Sequence, residues 1–119
     1  MKRVLLTAAV ASVVAALAVS VGAAAPPKLI GTVGPGYTIK LTKGGKRVKT
    51  LKAGKYTFVI SDKSSSHSYA LDGPKGLAKD FTTIPFKGTK TVTLTLKKGK
   101  YKFYCANHES SMFGHFTVT

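Results

Sequence analysis

One cysteine, Cys105, stands among 119 residues, so the chain can close no internal disulfide. Acids are nearly as scarce. Asp62, Asp72, Asp80 and Glu109 face 19 Lys and Arg, for a formal net charge of +15. No pair of carboxylates suggests a general acid and base, and the charge favours anionic partners. Beyond the first 25 residues no stretch carries a helical period, and no unit repeats in the manner of a solenoid. What remains is short apolar–polar alternation broken by glycine and proline, the pattern of an all-β sandwich or barrel.

Long uncharged sequence is confined to one place. Met1-Lys2-Arg3 opens the chain, residues 4–25 hold no charge, and Gly22-Ala23-Ala24-Ala25 precedes Pro26-Pro27. A basic start, an apolar core and a small-residue end make a secretory signal peptide. Residues 1–25 are therefore expected to be a leader cleaved near positions 23–25, and residues 26–119 a single domain in an exported protein, periplasmic, envelope-bound or extracellular. An uncleaved membrane anchor is the rival reading, because the uncharged run has the length of a bilayer span. No cysteine follows the apolar core, which excludes a lipoprotein anchor.

Without Lys2 and Arg3 the mature part keeps 17 Lys/Arg against the four acids, formally +13. An acidic protein or an anionic cell-envelope surface would be attracted to it, and nucleic acid only non-specifically. The cations are spread along the chain, so a merely solvated basic surface stands beside that reading.

About seven or eight strands are predicted, in a Greek-key sandwich or barrel. Residues 29–33 form the first, and Gly34-Pro35-Gly36 turns it. Tyr37, Ile39 and Leu41 share one face of the next. Gly44-Gly45 makes a hairpin and residues 48–51 return. Tyr56, Phe58 and Ile60 line one face of another strand. Tyr69 and Leu71 mark a strand that ends at Asp72-Gly73-Pro74. Residues 75–85 read as an irregular loop over the sandwich. Val92, Leu94 and Leu96 alternate with threonines in the cleanest strand. Tyr101, Phe103 and Cys105 share a parity, which turns Cys105 inward with the aromatics. Phe116 and Val118 close the sheet. One short similarity recurs: Leu51-Lys52-Ala53-Gly54-Lys55-Tyr56 against Leu96-Lys97-Lys98-Gly99-Lys100-Tyr101. Each is a strand end, a turn and an aromatic-led new strand, where a tyrosine can bond back to the preceding connection.

Chemistry concentrates near the end of the chain. Cys105, His108 and Met112 bring a thiolate, an imidazole and a thioether within eight residues. Soft sulfur beside imidazole suits copper, and two histidines with a cysteine in a trigonal set, plus a weak axial methionine, is the arrangement used for electron transfer. His67, after three serines in a polar loop, is the candidate second histidine. Each residue alone has a plainer reading: a small buried cysteine, a core methionine, a surface histidine. Their order in an all-β exported chain favours metal ligation by His67, Cys105, His108 and Met112, with one type 1 copper per chain. His115 alternates with Phe116 and is expected to point outward. Zinc competes, but it wants a fourth strong ligand. Met112 is not one, and Glu109, beside His108, reads as exposed.

The motifs Ser66-His67-Ser68-Tyr69, Gly73-Pro74, Thr91-Val92-Thr93-Leu94, Gly99-Lys100-Tyr101, Tyr104-Cys105-Ala106-Asn107-His108 and Met112-Phe113-Gly114 together resemble the plastocyanin/azurin family of blue-copper proteins, the cupredoxins. The resemblance spans residues 28–119. It implies His67, Cys105 and His108 as equatorial ligands, Met112 as the axial one, and the edge of His108 as the electron port. Two positions depart from the family: Asn107 where many members carry proline, and Ser68 where many carry an asparagine that ties the cysteine loop. The function implied is a monomeric one-electron carrier docking with an acidic redox partner. A copper storage or delivery protein, or a basic surface-binding module with a non-functional site, are the alternatives. An enzyme is the weakest reading, for one such site lacks a second copper centre or an active-site acid.

Overall fold

A computed structural model describes residues 24–119; the leader expected over residues 1–25 lies almost wholly outside them. Among the described residues no helix is long and apolar enough to cross a membrane.

The described residues build ten strands. They are β1 (Lys28–Val33), β2 (Ile39–Lys43), β3 (Lys46–Arg47), β4 (Thr50–Leu51), β5 (Gly54–Asp62), β6 (Tyr69–Asp72), β7 (Ala78–Thr82), β8 (Gly88–Leu96), β9 (Gly99–Tyr104) and β10 (Phe113–Val118). A single turn of 3-10 helix, Pro74–Gly76, is the only helical element described. One sheet runs β3-β2-β1-β5-β8 and the other β4-β10-β9-β6-β7. Pairing is antiparallel except for β1 with β5 and β10 with β4. This is the all-β sandwich read from the alternation.

The strand count exceeds the expected seven or eight for two reasons. The return after the Gly44-Gly45 hairpin is not one strand. Its first part, β3, pairs with β2, and after Val48 the chain crosses to pair β4 with β10 in the other sheet. Crossing lets Val48 and Leu51 both enter the core. The loop expected over residues 75–85 also contains β7, which pairs with β6 and buries Phe81 and Thr82. Its Ala-Lys-Asp start hides the alternation, so only the pairing reveals it.

Inward parity holds where it was clearest. Tyr56, Phe58 and Ile60 on β5 face Tyr69 and Leu71 on β6, Tyr101 and Phe103 on β9, and Phe116 and Val118 on β10, all buried. Phe58 stacks on Phe81 with centroids 5.1 Å apart, and Tyr101 on Phe116 at 5.0 Å. The repeated corner is structural in both copies. Tyr56 donates its hydroxyl to the Lys52 carbonyl and Tyr101 to the Lys97 carbonyl, each at 2.7 Å. Tyr69, fully buried, donates across the sandwich from β6 to the Lys40 carbonyl of β2 at 2.9 Å. That bond fixes the two sheets relative to each other at the end where the chemistry gathers.

Candidate metal centre

Two adjacent strands deliver the site. β6 and β9 pair antiparallel with Ala70 opposite Tyr104. The residues before β6 therefore meet those after β9, which brings His67 and Ser68 to Cys105. The two loops are then tied down locally. Asp62 ends β5 and accepts the Ser64 amide at 3.0 Å, and the His67 amide donates to the Ser64 carbonyl at 3.3 Å. After β9 the chain turns tightly: His108 N–H donates to the Cys105 carbonyl at 3.1 Å, Met112 N–H to the His108 carbonyl at 2.8 Å, and Cys105 N–H to the Met112 carbonyl at 3.0 Å. Gly114 re-enters the sheet under the ring of Phe103, where a Cβ would collide.

The three strong donors converge. Nδ1 of His67 lies 3.2 Å from Nδ1 of His108, and the two nitrogens lie 3.8 and 3.7 Å from Cys105 Sγ. An ion about 2.0 Å from each nitrogen and about 2.3 Å from sulfur, in a trigonal plane, needs N–S separations of about 3.7 Å and an N–N separation of about 3.5 Å. The triangle fits with no ligand movement beyond a few tenths of an ångström. Among the described residues this is the group of His, Cys, Asp and Glu side chains able to hold a metal.

Each ligand position has its own burial. Cys105 and Met112 are buried in the core, His67 is 5% exposed, and His108 is half-buried. Met112 joins the site through its backbone bonds to Cys105 and His108. His115 is exposed on β10, as its parity required. Glu109 is exposed and pairs with Lys102 at 3.0 Å, so it is not the fourth donor that zinc would want. Two imidazoles and one thiolate, with a buried thioether on the same loop as the cysteine, is the donor set of a type 1 copper centre.

The two departures from the family pattern both form ties. Ser68 N–H points at Cys105 Sγ at 3.4 Å, while its hydroxyl accepts the Ala106 amide at 3.0 Å. Serine thus fastens the cysteine loop to the histidine loop. Asn107 donates Nδ2–H to the Ser66 carbonyl at 3.1 Å; its Oδ1 also accepts the Cys105 thiol at 2.9 Å, a bond that is given up when the sulfur ligates a metal as thiolate. Outer contacts of this kind orient metal ligands.

Sequence reasoning missed Tyr37. Its parity placed it on one face with Ile39 and the buried Leu41, yet Tyr37 precedes β2 and is 71% exposed. The Gly-Pro-Gly turn breaks the register before the strand begins. The ring packs edge-on against both histidines, with centroids 5.3 Å from His67 and 5.0 Å from His108. An aromatic directly after a turn was the available signal.

No protein-family model matches the sequence, and comparison with curated proteins returns no match. Solved structures do match in fold. A reduced amicyanin variant superposes with a TM-score of 0.52 at 13% identity, over 80% of this chain and 85% of its own. A reduced Cu(I) form of another amicyanin variant gives the same values. The copper protein rusticyanin matches with a TM-score of 0.50 at 18% identity, over 77% of this chain and 76% of its own.

Proposed function

We propose that this chain, whose fold is that of the cupredoxins, is an exported one-electron carrier that would hold one type 1 copper on His67, Cys105 and His108, with Met112 as the weaker fourth ligand. The preformed ligand triangle carries the proposal: Nδ1–Nδ1 at 3.2 Å and Sγ–Nδ1 at 3.7 and 3.8 Å. Copper in that triangle would supply a one-electron couple.

The chain's own residues account for the rest. The backbone bonds from Cys105 to Met112 and the Ser68 and Asn107 ties hold the ligands in one arrangement, so little must rearrange when charge changes. The Ser68 amide directed at Sγ at 3.4 Å stabilises negative charge on the thiolate. Burial of Cys105 and His67 keeps water from two of the three strong ligands. That burial favours retention of the ion over delivery to a partner, and so favours a carrier over a copper-handling protein. Half-buried His108 is the ligand nearest solvent and the natural exit for the electron.

The test is a Cu(II) titration of the metal-free protein, followed in the visible. One equivalent should raise an intense thiolate-to-copper band that Cys105→Ser abolishes. A weak spectrum, unaltered by that substitution, would overturn the assignment and favour a basic surface-binding module.

A further inference from the structure

We infer that Tyr37 is the positioning residue that caps the metal centre, clamping both imidazoles and governing how fast the ion enters and leaves. This rests on the copper reading above and goes beyond it, because Tyr37 is not a ligand.

Three loops meet at this end of the sandwich, and the ligands occupy only two of them. His67 belongs to the loop between β5 and β6, and His108 to the loop between β9 and β10. Tyr37 comes from the third, between β1 and β2. Its ring meets His67 at an interplanar angle of 63° and His108 at 87°, while the two imidazoles meet each other at 70°. The three rings form one edge-to-face cluster. Such contacts are attractive because the positive edge of one ring meets the negative face of the next. Tyr37 is far more exposed than either histidine, so it is the outermost member and the histidines lie beneath it.

The turn that carries Tyr37 is itself anchored. Gly34 N–H donates to the Thr38 carbonyl at 2.9 Å, and Lys63 N–H donates to the Val33 carbonyl at 2.9 Å. Gly34 has φ of 74° and lies so close to Ser64 that a Cβ would sit 2.9 Å from that side chain. The Tyr37 turn is therefore docked on the His67 loop, and the ring reaches across to His108. For the ion to leave, an imidazole must swing off it, and either swing breaks a contact with Tyr37. Removing the ring frees both imidazoles while leaving every donor atom in place. Because the contacts are aromatic, phenylalanine should serve as well as tyrosine.

The experiment compares the wild-type chain with Tyr37→Ala and Tyr37→Phe. Each is loaded with one equivalent of Cu(II) and mixed with excess EDTA, and decay of the thiolate-to-copper band is timed. Loss of two aromatic contacts should make decay roughly tenfold faster in Tyr37→Ala. Tyr37→Phe should decay at the wild-type rate. Metal-free Tyr37→Phe should match the wild type in denaturant midpoint, and metal-free Tyr37→Ala should still unfold cooperatively and lose no more than the same tenfold, about 1.4 kcal/mol; a larger loss would mean that the ring acts on the fold and would overturn the cap. Equal decay in Tyr37→Ala and wild type, or equally fast decay in both variants, would overturn the cap while leaving the copper site intact. Absence of the band from the wild type would instead overturn the copper reading and the cap with it.

Discussion

Ser68 serves two neighbours at once, its amide directed at the Cys105 sulfur and its hydroxyl accepting the Ala106 amide. Serine is shorter than the asparagine of the family pattern, yet the hydroxyl suffices because β6 and β9 are already paired beside it. Ser68→Ala should leave the Ala106 N–H without its acceptor and cost about 1 kcal/mol, read as a lower denaturant midpoint at unchanged slope. The thiolate-to-copper band should survive, because the amide that faces Sγ belongs to the backbone. Its loss in Ser68→Ala would mean that the hydroxyl, not the peptide, supports the thiolate.

At the scale of elements, the sandwich is fastened by matched tyrosine corners, Tyr56 entering β5 and Tyr101 entering β9. Each phenol bonds the carbonyl four residues earlier and so fixes the turn that starts its strand. Tyr56→Phe and Tyr101→Phe should each cost about 1 kcal/mol. The corners share no partner and lie in different sheets, so the double variant should cost the sum within about 0.5 kcal/mol. A clear excess over the sum in equilibrium denaturation would show the two corners to be coupled. Gly114 is a separate element-scale requirement. Gly114→Ala would drive a methyl into the Phe103 ring beneath the copper loop, at a cost of about 1–3 kcal/mol.

For the whole molecule, charge and tyrosine burial govern behaviour with salt and pH. Among the described residues one ion pair is formed, Lys102 with Glu109, while Asp62 is buried and Asp72 accepts the Tyr104 hydroxyl. The surface is therefore a nearly uncompensated cationic field. Electron exchange with an acidic partner should slow steeply as ionic strength rises. A rate indifferent to salt in stopped-flow would count against electrostatic docking. At high pH the tyrosines take over. Burial raises Tyr69 well above the usual phenol value, and it raises Tyr101 as well. Tyr104 is pushed up to about 12 by burial and then by Asp72, which both accepts its proton and repels the phenolate. The unfolded chain ionises these phenols near their ordinary value of about 10 while the folded chain keeps them protonated. Their contribution is thus intact below about pH 10, and stability should fall as pH climbs towards 12. Urea midpoints between pH 9 and 12 would measure the decline, and a flat profile would refute it.

Alternation along single strands was enough to predict the all-β class, the inward parity of Cys105 and the outward parity of His115, because strand parity is a local property of the backbone. The spacing of Cys105, His108 and Met112 was legible for the same reason: one short loop holds all three. The tyrosine corners were legible too, since donor and acceptor lie four residues apart. What lay between distant segments was not. The crossing of β4 to the other sheet and the pairing of β7 depend on partners far along the chain. His67 was a candidate by type alone until β6 and β9 paired and set its Nδ1 3.8 Å from Cys105 Sγ. Parity placed Tyr37 on one face with Ile39 and Leu41, and only the docking of its turn on the His67 loop set its ring over both imidazoles. Local periodicity decides which way a side chain faces within an element, and the packing of loops from different sheets decides which side chains meet.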